Sequence, residues 1–558
     1  MKVELRVEGM TCLSCARHVE SALLDVPGVQ QVRVDYATGR ATVLVKDAVQ
    51  ERDLLDAVAG VGYRAAAEPP AGSTSRPAAT MAAGSDADSD ADFDLLVIGT
   101  GGAGTAAAIR AAEIGARVAV VEGAEVVGGT CVNIGCIPSK YLIEAAHHVY
   151  TARSVFPGIA ACDPQLAWAE VIRRKREIVD RLRQEKYLDV LASYPEITLL
   201  HGRARLTAPG RVEVSGREIR AARVVVATGT RPGMPPVPGL NEAGALDSTS
   251  VMELESLPGS MVVIGGGSIG LELGQAFARF GVKVVVLEVA DRILIGEDPE
   301  ISDVLADSLR AEGIEVHTGV QVTRVERDSQ GFVVHMRDGS IAGQLRAEQL
   351  LVATGRIPNT EDLGLEAVGV ETDVRGFIRV DEYMRTTSPR IFAGGDVTGG
   401  PGYVYVAALG GGIAAQAALE DRATEGAIAM DLSAVPRVVF TDPQVAAVGM
   451  SEGEAKAAGI SAQVTTLPVS AMPRAVVSHR DRGVIKLVSE IGTDRLLGAH
   501  IVAPNAGDLI GEAVLAVRFG LTTRDVVSTL HAYLTWGEGL KLAAQTFTKD
   551  VAKLSCCA

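Results

Sequence analysis

Twice in this chain an apolar strand-like run ends in a glycine-rich loop that opens into a helix, and few local patterns limit a fold more. Asp94-Leu-Leu-Val-Ile runs into Gly99-Thr-Gly101-Gly-Ala-Gly104, followed by a helix carrying Ala106 to Ile114 and a strand at Val118–Val121 that ends in Glu122. Met261–Ile264 runs into Gly265-Gly-Gly267-Ser-Ile-Gly270, then a helix through Phe280 and a strand at Val282–Leu287 that ends in Glu288. Glycines here let the backbone turn tightly and approach a pyrophosphate at a helix N-terminus, while the acid accepts from a ribose hydroxyl. Two such units predict an α/β protein with two Rossmann-like dinucleotide-binding domains. Gly99, Gly101, Gly104 and Glu122 serve one nucleotide, and Gly265, Gly267, Gly270 and Glu288 the other.

The 558 residues allow about three or four domains. Before the first loop, residues 1–66 read as a βαββαβ unit of the ferredoxin-like kind, with strands at Lys2–Glu8, Gln31–Tyr36 and Ala41–Lys46, helices at Ala16–Leu24 and Glu51–Ala59, and a last strand near Tyr63. Residues 67–92 turn to Pro, Gly, Ser, Ala and Asp without apolar periodicity, the composition of a flexible tether. After about Ala434 come strand-like Gly483–Val488 and Leu497–Val502 and an apolar helix at Leu509–Phe519, an α+β layer with no phosphate loop. The net charge of −16 repels a phosphate backbone and argues against nucleic acid as partner. No apolar run reaches the roughly 18 residues of a membrane span, and the N-terminus alternates rather than forming a signal peptide. Neither membrane insertion nor export is expected, which points to the cytoplasm.

Six of the seven cysteines fall in close pairs, Cys12/Cys15, Cys131/Cys136 and Cys556/Cys557, with Cys162 alone. Such pairing points to redox or metal chemistry rather than to disulphide staples. The central pair sits in Gly128-Gly-Thr130-Cys131-Val-Asn-Ile-Gly-Cys136-Ile-Pro-Ser-Lys140. Five helical steps rise ~7.5 Å, more than the roughly 7 Å a disulphide tolerates between Cα atoms. The pair therefore needs a distorted helix start, which Gly135 permits and Pro138 closes. A thiolate there gains from the helix dipole and from Lys140. Adjacent Cys556 and Cys557 close only a strained disulphide ring but can together hold one soft ion. Cys12 and Cys15, on one loop with no further Cys or His close in sequence, suit a two-coordinate soft cation better than zinc; a thioredoxin-like redox pair is the rival, against which the βαββαβ order argues. His18 reads as solvated surface.

The Gly-Gly-Thr-Cys-(four residues)-Cys-Ile-Pro-Ser-Lys motif after the first loop, with Ala227-Thr-Gly229, Ala353-Thr-Gly355-Arg-Ile-Pro-Asn359 and Ile391-Phe-Ala-Gly-Gly-Asp396, resembles the pyridine nucleotide–disulphide oxidoreductases from Phe93 to the end. The resemblance implies FAD at the first loop and NADPH or NADH at the second. It places Thr130 and Lys140 at the flavin, Lys140 paired with Glu272, and Asp396 at the ribityl or phosphate region. Cys136 lies against the flavin, with Cys131 as exchange partner. It implies an FAD-binding domain at 93–243 and 357–433, an NAD(P)-binding domain at 244–356 and an α+β dimerisation domain with its Cys-Cys tail at 434–558. The dimer shares each active site between both subunits.

Two departures narrow the family. Members that act on dithiols, such as lipoamide dehydrogenase and glutathione reductase, end in a His-x-x-x-x-Glu pair. Here the same place reads Tyr533-Leu-Thr-Trp-Gly-Glu538, and His531 stands two residues earlier, either turned to the same side or a packing residue. Tyr533, the Cys556-Cys557 tail, the segment Glu538–Phe547 and Tyr187 resemble the mercuric reductase branch, and residues 1–66 resemble the heavy-metal-associated domains. That branch implies reduction of thiolate-bound Hg(II) to Hg(0), with the tail cysteines of the partner subunit handing the metal to Cys131 and Cys136 between Tyr187 and Tyr533. Cys12 and Cys15 then capture metal. A lipoamide-dehydrogenase-like disulphide reductase is the alternative, favoured by His531 and Glu288; a metal-handling protein with a vestigial flavin site is disfavoured by the intact Cys131–Lys140 motif. Glu288 faces a ribose 2′-phosphate unfavourably while Arg292 offsets part of that charge, so NADH is expected to serve at least as well as NADPH.

Overall fold

The structure, a computed structural model, describes residues 2–8, 19–20, 22–24, 26–35, 40–46, 49, 51–61, 63–68, 91–339, 341–420 and 428–554. The chain divides into two compact units, Met1–Met81 and Ala82–Ala558.

In the first unit, β1 (Lys2–Glu8), β2 (Val29–Asp35), β3 (Arg40–Val45), α1 (Glu51–Gly60) and β4 (Arg64–Glu68) follow in order, and residues 19–20 and 22–24 are helical. The sheet runs β2-β3-β1-β4, antiparallel throughout. Side chains alternate along a strand, so Leu5 and Val7 share a face with Ala41, Val43 and Val45 of the neighbouring strand. They close a core with Val19, Leu23, Leu54 and Val58. Leu54 and Val58 meet that core together because residues four apart lie on one helix face. This is the ferredoxin-like order expected from the alternation. Cys12, Cys15, His18 and residues 69–90 of the expected tether lie outside the described residues.

The second unit opens with β5 (Phe93–Ile98), α2 (Gly102–Ile114), β6 (Val118–Glu122), α3 (Gly129–Asn133), α4 (Cys136–Arg153) and α5 (Trp168–Arg183). β7 (Ile197–His201) pairs with β6, β6 with β5, and β5 with β8 (Arg217–Val226), all parallel. Leu95, Leu96, Val97 and Ile98 are all buried, as a strand covered on both faces requires. Each such side chain contributes about 1.5–3 kcal/mol of burial.

The second nucleotide unit repeats the pattern with β9 (Ser260–Ile264), α6 (Ser268–Arg279), β10 (Lys283–Leu287), α7 (Pro299–Ala311), β11 (Glu315–His317) and β12 (Gln349–Val352), in the parallel order β11-β10-β9-β12. A three-stranded antiparallel sheet, Val320–Asp328, Gly331–Asp338 and Ile341–Ala347, is inserted before β12. The chain then returns to the first sheet through β13 (Ile391–Ala393), which pairs with β8, and α8 (Val404–Leu419) packs on α2. Gly411 makes that approach possible: a Cβ there stands 2.0 Å from the Ala103 carbonyl oxygen.

The last layer is an antiparallel sheet, β14 (Arg437–Val439), β15 (Gln444–Gly449), β16 (Ala462–Pro468), β17 (Val484–Glu490) and β18 (Leu496–Ala503), in the order β14-β15-β18-β17-β16. It is covered by α9 (Ala506–Arg518) and α10 (Glu538–Gln545). Among the described residues, no helix is long and apolar enough to cross a membrane.

Candidate active site

α3 carries Cys131 and ends at Asn133; Gly135 breaks the path before Cys136 opens α4. A Cβ on Gly135 stands 2.9 Å from the Thr130 carbonyl oxygen, so only glycine lets the chain double back there. The distortion expected between the two cysteines is thus a break between two helices, and Pro138 sits in the first turn of α4, where a missing N–H costs nothing. Both thiols are free, Cys131 half-buried and Cys136 exposed.

Cys136 is the thiolate of the pair. A hydrogen bond from the Cys131 thiol does most to lower it, to about 7, against the opposing effect of burial; the Lys140 charge and its own N–H at the helix start add to the lowering. The same hydrogen bond, then burial, pushes the Cys131 thiol up. Lys140 is itself held: its Nζ lies 2.7 Å from Glu272 Oε2 on α6 and 4.5 Å from the centre of the Phe440 ring. Glu272 Oε1 accepts the Phe440 N–H at 2.9 Å.

Tyr187 lies in a π turn, Gln184–Leu188, that follows α5 directly. Such turns recur at functional sites because they re-aim a side chain within a helix. A Cβ on Gly128, just before α3, stands 3.5 Å from Tyr187 Cγ. Burial, then the negative charge of Cys131 and Cys136, raises the Tyr187 phenol, so it stays protonated at neutral pH. Tyr533 is exposed on the segment between residues 528 and 538. His531 is engaged at both ring nitrogens: Nε2 lies 2.8 Å from Glu512 Oε1 and Nδ1 2.9 Å from the Thr529 carbonyl oxygen. Cys162 is exposed and distant in sequence from either pair. Cys556 and Cys557 lie outside the described residues, while Val551 and Leu554 just before them pack on the last core.

The first glycine loop fits FAD. Gly101 and Gly129 bring two loops backbone to backbone, since a Cβ on Gly129 stands 2.5 Å from Gly101 Cα, and Gly129 has φ +65°. A Cβ on Gly104 stands 1.9 Å from the Gly99 carbonyl oxygen, which fixes the tight turn into α2. Thr100 ties the loops together: its hydroxyl donates to Glu122 and accepts the Gly128 N–H at 2.9 Å. Glu122 is buried, with Oε1 accepting from Ala124 N–H at 2.8 Å and Oε2 from Thr100 N–H at 3.2 Å. Asp396, in a turn after β13, accepts the Thr230 hydroxyl at 3.2 Å, and Arg356 holds Thr230 through Nε–H to Oγ1 at 2.7 Å.

The second loop fits a nicotinamide dinucleotide. It lines a cavity of about 880 Å³ with Glu288, Arg356 and Arg337. A Cβ on Gly270 stands 2.2 Å from the Gly265 carbonyl oxygen, whereas one on Gly267 meets nothing within 4 Å and faces open space. Thr100, Arg356 and Phe440 received no role from sequence. Thr100 and Arg356 sit inside quoted motifs; Phe440 carries no local signal at all.

A family model for the pyridine nucleotide-disulphide oxidoreductases matches residues 93–411, one for the dimerisation domain of that family matches 435–544, and one for the heavy-metal-associated domain matches 4–64. The mercuric reductase of Staphylococcus aureus is 41% identical over 556 residues, covering 100% of this chain and 99% of that protein. That of Shigella flexneri is 43% identical over 572 residues, covering 99% of each. That of Streptomyces lividans is 45% identical over 474 residues, covering 84% of this chain and 98% of that protein. Among solved structures, the HOCl-induced flavoprotein disulfide reductase RclA of Escherichia coli is similar with a TM-score of 0.73 and 33% identity, over 82% of this chain and 100% of that one.

Proposed function

The chain belongs to the pyridine nucleotide–disulphide oxidoreductases and, within them, to the mercuric reductases, and on that premise we propose that Cys131 and Cys136 form the centre at which its metal is reduced. The protein is an FAD- and NAD(P)H-dependent oxidoreductase that converts Hg(II) to Hg(0), and it carries a dimerisation domain and a heavy-metal-associated domain. Bound FAD supplies the two-electron path from the reduced nicotinamide to the metal centre.

The observation that carries the assignment is Cys136 at the start of α4, a thiolate near neutral pH beside a protonated Cys131. Soft Hg(II) prefers thiolate ligands. Cys136 attacks the incoming thiolate complex and displaces one carrier as its thiolate; Cys131 then becomes the second ligand and passes its proton to the other carrier, which leaves as the thiol. The metal then takes two electrons and departs as the neutral atom, leaving both cysteines reduced. Lys140, held by Glu272 and Phe440, keeps a positive charge beside the thiolate throughout. Tyr187 remains a neutral phenol at the wall of this centre, polar enough to assist ligand exchange without competing as a strong donor.

Cys556 and Cys557 of the partner subunit form the last station before this pair, with the partner subunit's Tyr533 beside them, so that each site is built from two chains. Cys12 and Cys15 capture metal upstream. Gly99, Gly101, Gly104, Glu122, Thr130, Lys140 and Asp396 hold FAD, with Glu272 paired to Lys140 beside the flavin; Gly265, Gly267, Gly270 and Glu288 serve the nicotinamide side. The disulphide-reductase alternative is not favoured. Aerobic NAD(P)H oxidation in excess small thiol tests the reading: it should depend on added HgCl2 and vanish in Cys136→Ala. Oxidation driven equally by a small disulphide without metal contradicts it.

A further inference from the structure

The acids that end β6 and β10 are held by the same pair of backbone N–H groups, and Glu122 takes the Thr100 hydroxyl besides. Glu122 Oε1 accepts the N–H two residues on, Ala124, at 2.8 Å, and Oε2 accepts the N–H 22 residues back, Thr100, at 3.2 Å. Glu288 Oε1 accepts from Ala290, also two residues on, at 2.8 Å, and Oε2 from Gly266, also 22 back, at 2.6 Å. A carboxylate oxygen has room for a second hydrogen bond, and each oxygen of Glu288 accepts only one among the described residues, so Glu288 can still accept from both hydroxyls of an unmodified ribose. FAD, which the first unit fits, has an adenosine ribose with a free 2′-hydroxyl. We infer that Glu288 makes the second unit a site for an unphosphorylated adenosine ribose, so that the enzyme selects NADH over NADPH.

The surroundings of Glu288 strengthen the case. A Cβ on Gly266 stands 3.1 Å from Glu288 Cβ and 3.2 Å from its Oε2, so the side chain lies directly on the phosphate loop. Swinging it away from a 2′-phosphate strands two backbone N–H groups, which is costly. Arg292, the nearest cation in sequence, is turned elsewhere: Nη1 donates to Asp291 at 3.2 Å and Nη2 to the Ile295 carbonyl at 3.1 Å. It does not line the cavity, whereas Glu288 does. Of the two arginines in the cavity wall, Arg356 is committed to Thr230, and Arg337 stands on the inserted antiparallel sheet rather than on the ribose loop. The second unit thus repeats the acid of the first, and the cation on the acid's own loop, Arg292, is bound to Asp291 and the Ile295 carbonyl.

The inference rests on the nicotinamide-dependent reading above but not on the identity of the metal. Calorimetric titration of the FAD-loaded protein with ADP-ribose and with its 2′-phosphate reads the site without turnover. The wild type should bind ADP-ribose roughly tenfold tighter or better, the scale of one charged hydrogen bond. Glu288→Gln should close most of that gap, and kcat/KM for NADH and NADPH should follow the same order. Equal or tighter wild-type binding of the 2′-phosphate overturns the inference, and a gap unchanged in Glu288→Gln overturns its assignment to this residue. A preserved binding order in a protein that fails to release Hg(0) upholds the inference and strikes only the metal assignment.

Discussion

Lys140 Nζ stands 2.7 Å from Glu272 Oε2, and this one ion pair joins the helix that Cys136 begins to the helix that the second glycine loop begins. Phe440, from the last layer, closes it with its N–H on Glu272 and its ring against the ammonium. Three segments far apart in sequence therefore fix one positive charge beside the thiolate.

That charge adds to the Cys131 hydrogen bond in setting a pH dependence. Alkylation of reduced Cys136 by iodoacetamide should rise with pH through a midpoint of about 7. Loss of the neighbouring cation disfavours the thiolate, so Lys140→Met should move the midpoint upward by about one unit, ~1.4 kcal/mol. Peptide-resolved alkylation rates measure it; an unmoved midpoint removes Lys140 from the account.

The meeting of Gly101 and Gly129 predicts loss of the flavin. Gly129→Ala places a Cβ 2.5 Å from Gly101 Cα at φ +65°, where both contact and backbone oppose it. The purified variant should carry much less FAD than wild type, read from its visible absorbance per chain. Full flavin content contradicts the close-approach argument.

The glycine loops, the cysteine motif and the βαββαβ order were legible because each is a local pattern with a local cause. Glu272 was reached only through a family resemblance. Phe440 was not reached at all, because its partner Lys140 lies 300 positions earlier and a lone Phe-Thr-Asp carries no periodic signal. The π turn at Tyr187 escaped for another reason: its residues suit an α-helix, and packing selects the wider turn. The inserted sheet at 320–347 went unread although Phe332 and Val334 alternate inward along its middle strand.

Asp442 should make the body acid-sensitive. Despite opposing burial, its carboxyl is held well below the usual range by His147 and by the Arg279 and Arg480 guanidinia. Its folded pKa is depressed, so this stabilisation is complete above the unfolded value of about 4 and is lost as pH falls towards the folded one. Asp442→Asn should cost about 3 kcal/mol near neutrality, the lower end of the range for breaking a buried ion pair, and should flatten the fall in Tm below about pH 4. Parallel Tm–pH curves for variant and wild type contradict this.

The tail should matter most for tightly chelated metal. Cys556→Ala with Cys557→Ala should lose most turnover on dithiol-bound Hg(II) while FAD reduction by nicotinamide persists. Equal turnover of variant and wild type on that substrate contradicts the relay.

The central claim is that electrons entering from the nicotinamide leave on mercury. Measuring mercury vapour released per NAD(P)H oxidised, anaerobically and in excess thiol, tests it most directly. The account predicts one Hg(0) for each nicotinamide consumed, abolished in Cys131→Ala and Cys136→Ala; nicotinamide oxidation with the mercury left in solution as Hg(II) contradicts it.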